Sequence, residues 1–295
     1  MNALKPNIRK ILREQGLTYL GPVKRPARYE LYEFSQDGGD PSCVLKKLPL
    51  SSRELDFYAK RLPRVSGNFN VLQVPELLEI FMFPDEAYVL LPYYDGHHFD
   101  FHNPDKEMAK QMVAVVKDLL KIDVEKVVER GSKFDYERYE SEFRQSFDEA
   151  VSLGLILVDH MSAKKIAKEI LHRGRDTQRM IVSNGDFNPR NLIRLNSKLV
   201  LIDWSEIVAP LEHHLTYSWL LNFENEECPE WQKTYATCFE NEISVDMRNI
   251  RYHLMHKALR RAVAEMKFYK QGKGDACRKR ASNYMTSFNF AIEGF

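Results

Sequence analysis

The feature that most constrains the fold of this chain is a change in its hydrophobic pattern about one third of the way along. Residues 29–34 (YELYEF) and 43–48 (CVLKKL) have the composition of strands, and the sequence DGGDP between them is typical of a turn. Beyond residue 104, apolar residues recur at helical spacing over 108–128, 136–153 and 161–172. The pattern predicts an α+β chain in which a small antiparallel sheet precedes a larger, mainly helical unit.

One helix is predicted within the N-terminal, strand-rich part of the chain. Ser51 and Ser52 are candidate N-caps, and apolar residues recur at helical spacing from Arg53 onward. Pro63 is expected to end this helix, because proline cannot continue a helical hydrogen-bond ladder.

Two further strands are predicted before the helical part begins, at 74–81 and 87–91. The segment that follows, 92–96 (PYYDG), has the composition of a linker. We therefore expect two lobes, an N-terminal lobe of residues 1–92 and a C-terminal lobe of residues 93–295.

A single strand-and-hairpin unit interrupts the helical part. Residues 180–183 are predicted to form a strand, and 192–202 (LIRLNSKLVLI) a hairpin that turns at Asn196 and Ser197. Helical spacing resumes after the hairpin and continues to Ala291.

Composition excludes several classes of protein. The 43 Lys and Arg residues nearly balance the 42 Asp and Glu residues, which gives no reason to expect nucleic acid as a partner. The four cysteines show neither metal-knuckle spacing nor the density of a disulfide framework. The longest near-apolar run, 151–158, is too short to span a bilayer, so we expect no integral membrane association and a cytoplasmic location.

The most specific motif is NGDFNPRN at 184–191, followed after the hairpin by Ile-Asp-Trp at 202–204. Phosphoryl transfer needs a carboxylate to accept the proton of the attacking hydroxyl, and an amide and a second carboxylate to hold Mg²⁺. Asp186, Asn191 and Asp203 supply these groups, and the hairpin would bring them together. Taken singly, the same residues could instead cap turns and a helix.

These motifs resemble the His-Gly-Asp-x-x-x-x-Asn loop and the Ile-Asp-Trp motif of the aminoglycoside phosphotransferase and choline kinase superfamily. The resemblance implies a two-lobed protein-kinase-like fold and transfer of the γ-phosphate of ATP, with Mg²⁺, to a hydroxyl group. It also implies a lysine on the third strand that contacts the phosphates and pairs with a glutamate on the next helix. Lys46 and Glu54 fit these positions, and strand alternation places Lys47 on the opposite face.

The resemblance extends to the linker. The segment 89–96 (VLLPYYDG) is similar to the hinge that contacts adenine in this superfamily, which implies that the backbone of Pro92, Tyr93 and Tyr94 binds the base.

Three departures from the family pattern stand out. Asn184 replaces the histidine before Gly-Asp, and the segment 20–27 (LGPVKRPA) is not a clear glycine-rich loop. After Trp204 the chain carries Glu206 where relatives often have an acidic residue directly after the aromatic one. His213 or His214 then lies near the position of a later family aspartate, and a neutral imidazole cannot anchor a loop as a carboxylate does.

The acceptor is expected to be a small molecule carrying a hydroxyl, such as an aminoglycoside, a choline-like alcohol or a sugar. Protein kinases carry Arg where this chain has Gly185, and about a dozen residues separate Asp203 from the next predicted helix, which leaves no long activation segment. A protein kinase and a catalytically silent kinase-like binding module remain alternatives. The acidic stretch 224–230 would suit a cationic acceptor or simply be solvated, and the sequence leaves the oligomeric state open.

Overall fold

We describe the protein from a computed structural model. It describes residues 4–23, 29–99, 106–128, 134–159, 179–204, 208–216, 229–245 and 247–293, together with parts of 161–168.

The first ninety-odd residues form an antiparallel sheet with helices on both faces. Five strands pair in the order β1-β2-β3-β6-β5, and every neighbouring pair is antiparallel. The elements of this part are α1 (Pro6–Glu14), β1 (Thr18–Pro22), β2 (Leu31–Ser35), β3 (Cys43–Leu48), α2 (Arg53–Asp56), β4 (Leu72–Gln73), β5 (Glu79–Met82) and β6 (Ala87–Pro92).

The remainder is mainly helical, as the periodicity predicts, so the α+β fold class is confirmed. Its elements are β7 (His97–His98), α3 (Lys106–Leu119), α4 (Val124–Val127), α5 (Tyr136–Ser152), β8 (Met180–Val182), β9 (Leu192–Leu195), β10 (Lys198–Leu201), β11 (Val208–Pro210), α6 (Pro229–Ile243), α7 (Met247–Lys270) and α8 (Asp275–Glu293). Residues 211–216 are also helical. None of the helices described is both long and apolar enough to cross a membrane.

Strand alternation divides the N-terminal sheet between two apolar cores. Cys43 and Leu45 of β3 face a small core that α1 closes with Ile8 and Leu12. Leu48 lies on the other face, in the large core that continues into the helical part. Lys46 shares that second face, because its position in β3 differs from that of Leu48 by two residues.

The helix after β3 begins where the sequence predicts. The side chain of Ser52 accepts a hydrogen bond from the Glu54 N–H, the usual role of an N-cap serine. The helix continues as a π-helical segment over 57–61 and a 3-10 turn over 62–64, so Pro63 sits inside the last turn.

A second sheet connects the two parts of the chain. Its order is β4-β10-β9-β7, with the predicted hairpin β9–β10 at its centre. β4 pairs with β10 in parallel, and β7 pairs with β9. Asn196 adopts a positive φ of 52° at the hairpin turn, a conformation that asparagine tolerates well. The lobe boundary between residues 92 and 93 stays a prediction.

Two sequence predictions differ from the structure. The strand predicted at 74–81 is wrong for 74–78, because Pro75 has no N–H to give to a ladder and pairing resumes only at β5. The helix predicted at 108–128 is two helices, because the Asp123 side chain accepts from the Glu125 N–H and starts α4. α1 and β1 were not predicted, and most of the helix predicted at 161–172 lies outside the described residues.

Candidate active site

The charged centre of the site is Lys46 on β3. Its Nζ donates hydrogen bonds to Glu54 Oε1 and to Asp203 Oδ1, both at 2.6 Å. Lys46 and Glu54 are buried, whereas the Asp203 side chain is 55% exposed. The structure thus brings three residues together, although Lys46 and Asp203 lie 157 positions apart in the sequence.

The pairing keeps the buried lysine charged. Burial alone would lower the pKa of Lys46, but the carboxylates of Asp203 and Glu54 outweigh it and raise the pKa above its ordinary value. Lys47 points the other way and pairs with Glu86 and Glu30 at 3.1 and 3.7 Å. The alternation argument that selects Lys46 over Lys47 therefore agrees with the geometry.

The loop after β8 is organised around the backbone carbonyl of Asp186. Three asparagine amides donate to this one oxygen: Asn184 at 3.2 Å, Asn188 at 3.0 Å and Asn191 at 2.8 Å. Gly185 adopts a φ of 81°, which lets the chain turn sharply before Asp186. The Asp186 side chain is half-buried, and its Oδ2 lies 3.3 Å from Nδ2 of Asn191.

Asn184, which stands where the family has histidine, connects the two halves of the site. Its Nδ2 also donates to the carbonyl of Ile202 at 2.9 Å, and Ile202 N–H donates to the Asn191 carbonyl at 2.9 Å. The loop of Asp186 and the strand end before Asp203 are therefore fixed side by side. In the sequence, Asn184 is a departure from the family pattern. In the structure, its side chain bridges the carbonyls of Asp186 and Ile202.

Asp203 follows the last residues of the hairpin in a strained conformation, with φ at 61°. Trp204 stabilises this turn, because its Nε1 donates to the Leu201 carbonyl at 2.7 Å. Its ring is fully buried. The ring stacks on Phe57, with centroids 4.9 Å apart and planes 6° apart. Because Phe57 lies one turn after Glu54, this stack links the two acidic partners of Lys46. Sequence reasoning did not predict it.

The linker after β6 runs close to the β9–β10 hairpin. Tyr93 N–H donates to the Ser42 carbonyl at 2.9 Å, and Gly96 N–H donates to the Tyr94 carbonyl at 3.0 Å. Pro92 has no N–H. Neither of these two bonds uses the Pro92 carbonyl or the Tyr94 N–H, so both are among the linker groups that a ligand could contact.

Beyond the linker, His98 reaches the loop of Asp186. Its Nδ1 lies 3.1 Å from the carbonyl of Arg190, the residue before Asn191. A Cβ on Gly96 would lie 2.4 Å from the Arg194 carbonyl oxygen, so glycine is needed for the linker to pass β9 this closely. Neither contact was predicted.

His213 and His214, which lie near the position of the later family aspartate in the sequence, are both buried. Burial lowers the pKa of His213 well below its ordinary value, and lowers that of His214 to about 3, so both are neutral. The His213 carbonyl accepts from Lys257 Nζ at 2.5 Å, which anchors the backbone of residues 211–216 without a carboxylate. Glu206, residues 24–27 of the segment 20–27 and most of the acidic stretch 224–230 lie outside the described residues.

Comparison with known proteins gives a structural match without a sequence match. No protein-family model matches this sequence, and no curated protein sequence does. The structure resembles the GDP complex of wild-type aminoglycoside 2'-phosphotransferase-IIIa, with a TM-score of 0.67 and 14% identity over 98% of this chain and 97% of that one.

Two further solved structures extend the resemblance. A thermostable mutant of aminoglycoside phosphotransferase APH(4)-Ia, in a ternary complex with ADP and hygromycin B, gives a TM-score of 0.63 at 14% identity over 95% of this chain and 98% of that one. A protein assigned as a fructosamine-3-kinase from Haemophilus somnus 129PT gives 0.58 at 13% identity over 95% and 96%. The chain therefore has the protein-kinase-like fold in the form that aminoglycoside phosphotransferases adopt, as its motifs predict.

Proposed function

We propose that this protein is a small-molecule kinase, which transfers the γ-phosphate of ATP to a hydroxyl group with the help of Mg²⁺. The observation that carries the proposal is the placement of Lys46 between Glu54 and Asp203, beside a loop that presents Asp186 and Asn191. These are the side chains that phosphoryl transfer requires.

Each residue has a defined role in this proposal. Lys46 contacts the α- and β-phosphates, and Glu54 holds its ammonium group in position. The acceptor hydroxyl attacks the γ-phosphorus, its proton passes to the carboxylate of Asp186, and ADP leaves. Because there is little covalent chemistry for the protein to perform, positioning and charge neutralisation supply most of the rate enhancement.

The metal would be held by Asn191 and Asp203. Asn191 directs its amide nitrogen to Asp186, which leaves the amide oxygen as a ligand, and the Asp203 carboxylate is exposed. Both are the hard oxygen donors that Mg²⁺ prefers. No cluster of three or more His, Cys, Asp or Glu suited to a metal occurs in the described part of the chain, and Mg²⁺ bound to nucleotide phosphates does not require one. When bound, the ion neutralises the charge that develops on the transferring group.

The linker supports adenine as the base. The Pro92 carbonyl can only accept and the Tyr94 N–H can only donate, a pair that complements the 6-amino group and N1 of adenine. Guanine presents an acceptor, O6, and a donor, N1–H, at the same positions. Its acceptor would face the Pro92 carbonyl and its donor would face the Tyr94 N–H, so neither hydrogen bond could form. We expect ATP to be preferred over GTP.

The short connection after Asp203 supports a small acceptor over a protein. Seven residues separate Asp203 from the helix at 211–216, and three of them form β11, which pairs with β8. Such a connection leaves no activation segment to dock a peptide. The solved neighbours named above are described with hygromycin B in one case and as a sugar-amine kinase in another, which fits a polar small molecule.

The test is acceptor-dependent formation of ADP. The purified protein, with ATP and Mg²⁺, is screened against aminoglycosides, choline-like alcohols and sugars, with Asp186→Asn as the matched control. We expect this variant to be about 10²- to 10⁴-fold slower, the usual worth of a general base. Its fold should persist, because the three asparagine bonds reach the backbone carbonyl of Asp186.

Two results would contradict the proposal. Phosphorylation of a generic protein substrate with no turnover of any small hydroxyl acceptor would favour a protein kinase. Absence of both nucleotide binding and turnover would favour a catalytically silent binding module.

A further inference from the structure

A buried carboxylate outside the Lys46 site accepts three backbone hydrogen bonds from the N-terminal part of the chain. Asp118 lies on α3 and is 0% exposed. Its Oδ1 accepts from the Asn70 N–H at 3.0 Å, and its Oδ2 accepts from the N–H groups of Val71 at 2.7 Å and Leu72 at 2.9 Å. Lys121 completes the set, with its Nζ 2.6 Å from Oδ1.

These contacts keep Asp118 ionised. Burial alone would raise the pKa of its carboxyl group, but the Leu72 N–H, Lys121 and the other two backbone donors outweigh it and lower the pKa. Its place in the last turn of α3 is unfavourable for a negative charge, because the helix macrodipole is negative at that end. The negative charge of Asp118 is therefore stabilised by the backbone segment that it contacts and not by its own helix.

The segment 69–73 lies between the elements that carry Glu54 and Asp203, the two carboxylates that contact Lys46. On one side it continues from the helix that begins at Arg53 and carries Glu54. On the other side its strand β4 pairs with β10, which ends two residues before Asp203. The Leu199 N–H donates to the Val71 carbonyl at 2.8 Å across this pairing.

Two lysines donate hydrogen bonds to backbone carbonyls in this segment and in the residue directly before it. Lys198 of β10 donates to the carbonyls of Phe69 at 3.1 Å and Asn70 at 2.9 Å. Lys121 of α3 donates to the Asn68 carbonyl at 3.1 Å. Within 69–73, Asp118 thus holds three consecutive N–H groups, and residues of β10 hold the carbonyls of three consecutive residues, Phe69, Asn70 and Val71.

We propose that Asp118 is a positioning residue, which fixes the segment 69–73 so that Glu54 and Asp203 reach Lys46 together. The proposal rests on the function proposed above. Asp118 touches none of the reacting groups; it acts through two arms, the helix from Arg53 and the strand β10. Asparagine at this position would keep one acceptor oxygen and lose the negative charge, so the hold on the three consecutive amides weakens and both arms lose their common fixed point.

The test compares Asp118→Asn with a destabilised control, Phe288→Leu, which alters a buried core side chain of α8 outside both arms. Amide hydrogen exchange is followed in peptides covering 53–64, 69–73 and 198–203, and affinity for Mg²⁺–ATP is measured by calorimetry. In Asp118→Asn we expect exchange about tenfold faster in all three peptides and affinity about tenfold weaker, the scale of an outer-shell metal-site mutation. The control should change neither at equal loss of Tm.

Faster exchange confined to 69–73, or the same pattern in the control, would overturn the proposal. If Asp118→Asn does not fold, Lys198→Met removes the hold on Phe69 and Asn70 from the opposite side, and the same pattern is expected with a smaller change. If the wild-type protein does not bind Mg²⁺–ATP, the proposed function fails, and the exchange pattern alone then decides whether Asp118 positions both arms.

Discussion

The buried pair of Lys46 and Glu54 shows how a functional arrangement can weaken the fold that carries it. Two opposite charges are held in an apolar setting, where their attraction does little more than repay the cost of removing them from water. Such a pair is expected to be retained for what the lysine does and not for stability.

A double-mutant cycle tests this view. Lys46→Met removes the ammonium group that contacts the buried Glu54 carboxylate, so we expect it to destabilise the protein by about 3–5 kcal/mol. Adding Glu54→Met should recover most of that loss, while the double variant remains inactive. Urea unfolding of the four proteins measures the coupling; purely additive losses would show that the pair is not an interdependent unit.

Asn184 is the second residue whose role follows from geometry. It is buried and bridges the carbonyls of Asp186 and Ile202. Asn184→Ala leaves the Ile202 carbonyl without this donor, so we expect a loss of about 1–3 kcal/mol together with weaker Mg²⁺–ATP binding.

Asn188→Ala is the matched control, because it removes a bond to the same Asp186 carbonyl without touching Ile202. It should lower stability and leave Mg²⁺–ATP affinity within about twofold, since the coupling between the loop and the Asp203 turn is intact. Equal losses of affinity in the two variants would contradict the bridging role of Asn184.

The residues of the candidate site that could be predicted from the sequence are those that belong to motifs. Asp186, Asn191 and Asp203 fall at fixed spacings around a hairpin. Lys46 and Glu54 were expected from the family resemblance, and strand alternation separated Lys46 from Lys47. Asp118 belongs to no such motif, and the stack of Trp204 on Phe57 does not follow from the Ile-Asp-Trp motif, since each depends on contacts with residues distant in the chain. Asp118 was not predicted; a charged residue among the apolar residues of a helix face is the signal that could have pointed to it.

At the scale of elements, the linker and β9 are joined by a close approach that permits no side chain at residue 96. Gly96→Ala places a Cβ against the Arg194 carbonyl oxygen, which belongs to the backbone and cannot rotate away. We expect a loss of about 1–3 kcal/mol and weaker ATP binding, because the linker must move away from the hairpin.

Gly39→Ala serves as the control for this substitution. Its Cβ would meet only the flexible side chain of Asp37 in an exposed turn, at 3.2 Å. Thermal melts with and without ATP separate the two variants. Similar behaviour of both would show that the approach of the linker to β9 does not matter for the nucleotide.

Elements with strong local signals were predicted well, and very short ones were not. The hairpin β9–β10 and strand β3 follow from alternating apolar residues bounded by turn sequences. The two-residue strands β4 and β7 have no periodicity to detect, and they form because β9 and β10 offer them a partner. The sheet that joins the two parts of the chain was therefore out of reach of sequence reasoning.

At the scale of the whole molecule, a cluster of buried histidines makes stability depend on pH. His213, His214, His253 and His256 are buried near Lys257. Burial lowers the pKa of all four, to about 3 for His214 and His256. In the unfolded chain each returns to about 6.5.

The sign of the effect follows from these values. Between about pH 6.5 and pH 3 the unfolded chain binds protons that the folded chain does not, so stability falls as the pH falls. Each histidine contributes up to about 1.4 kcal/mol per pH unit across this window.

Urea unfolding between pH 7.5 and pH 5 measures this slope. His256→Gln is the test variant, because glutamine can still donate to the Tyr139 carbonyl that the imidazole contacts at 2.6 Å but does not titrate. We expect the slope to become shallower by about one proton equivalent. An unchanged slope would show that His256 does not contribute.

The central claim concerns the site formed by Lys46, Asn191 and Asp203, and a thermal melt tests it most directly. Wild type and Asp203→Asn are melted with ATP alone, Mg²⁺ alone and both together. At 100 times the dissociation constant, a ligand adds about 2.7 kcal/mol, or several degrees for a protein of this size. We predict that wild type shows this shift only with both components and that Asp203→Asn loses it. A wild-type protein that gives no shift under any condition would contradict the account.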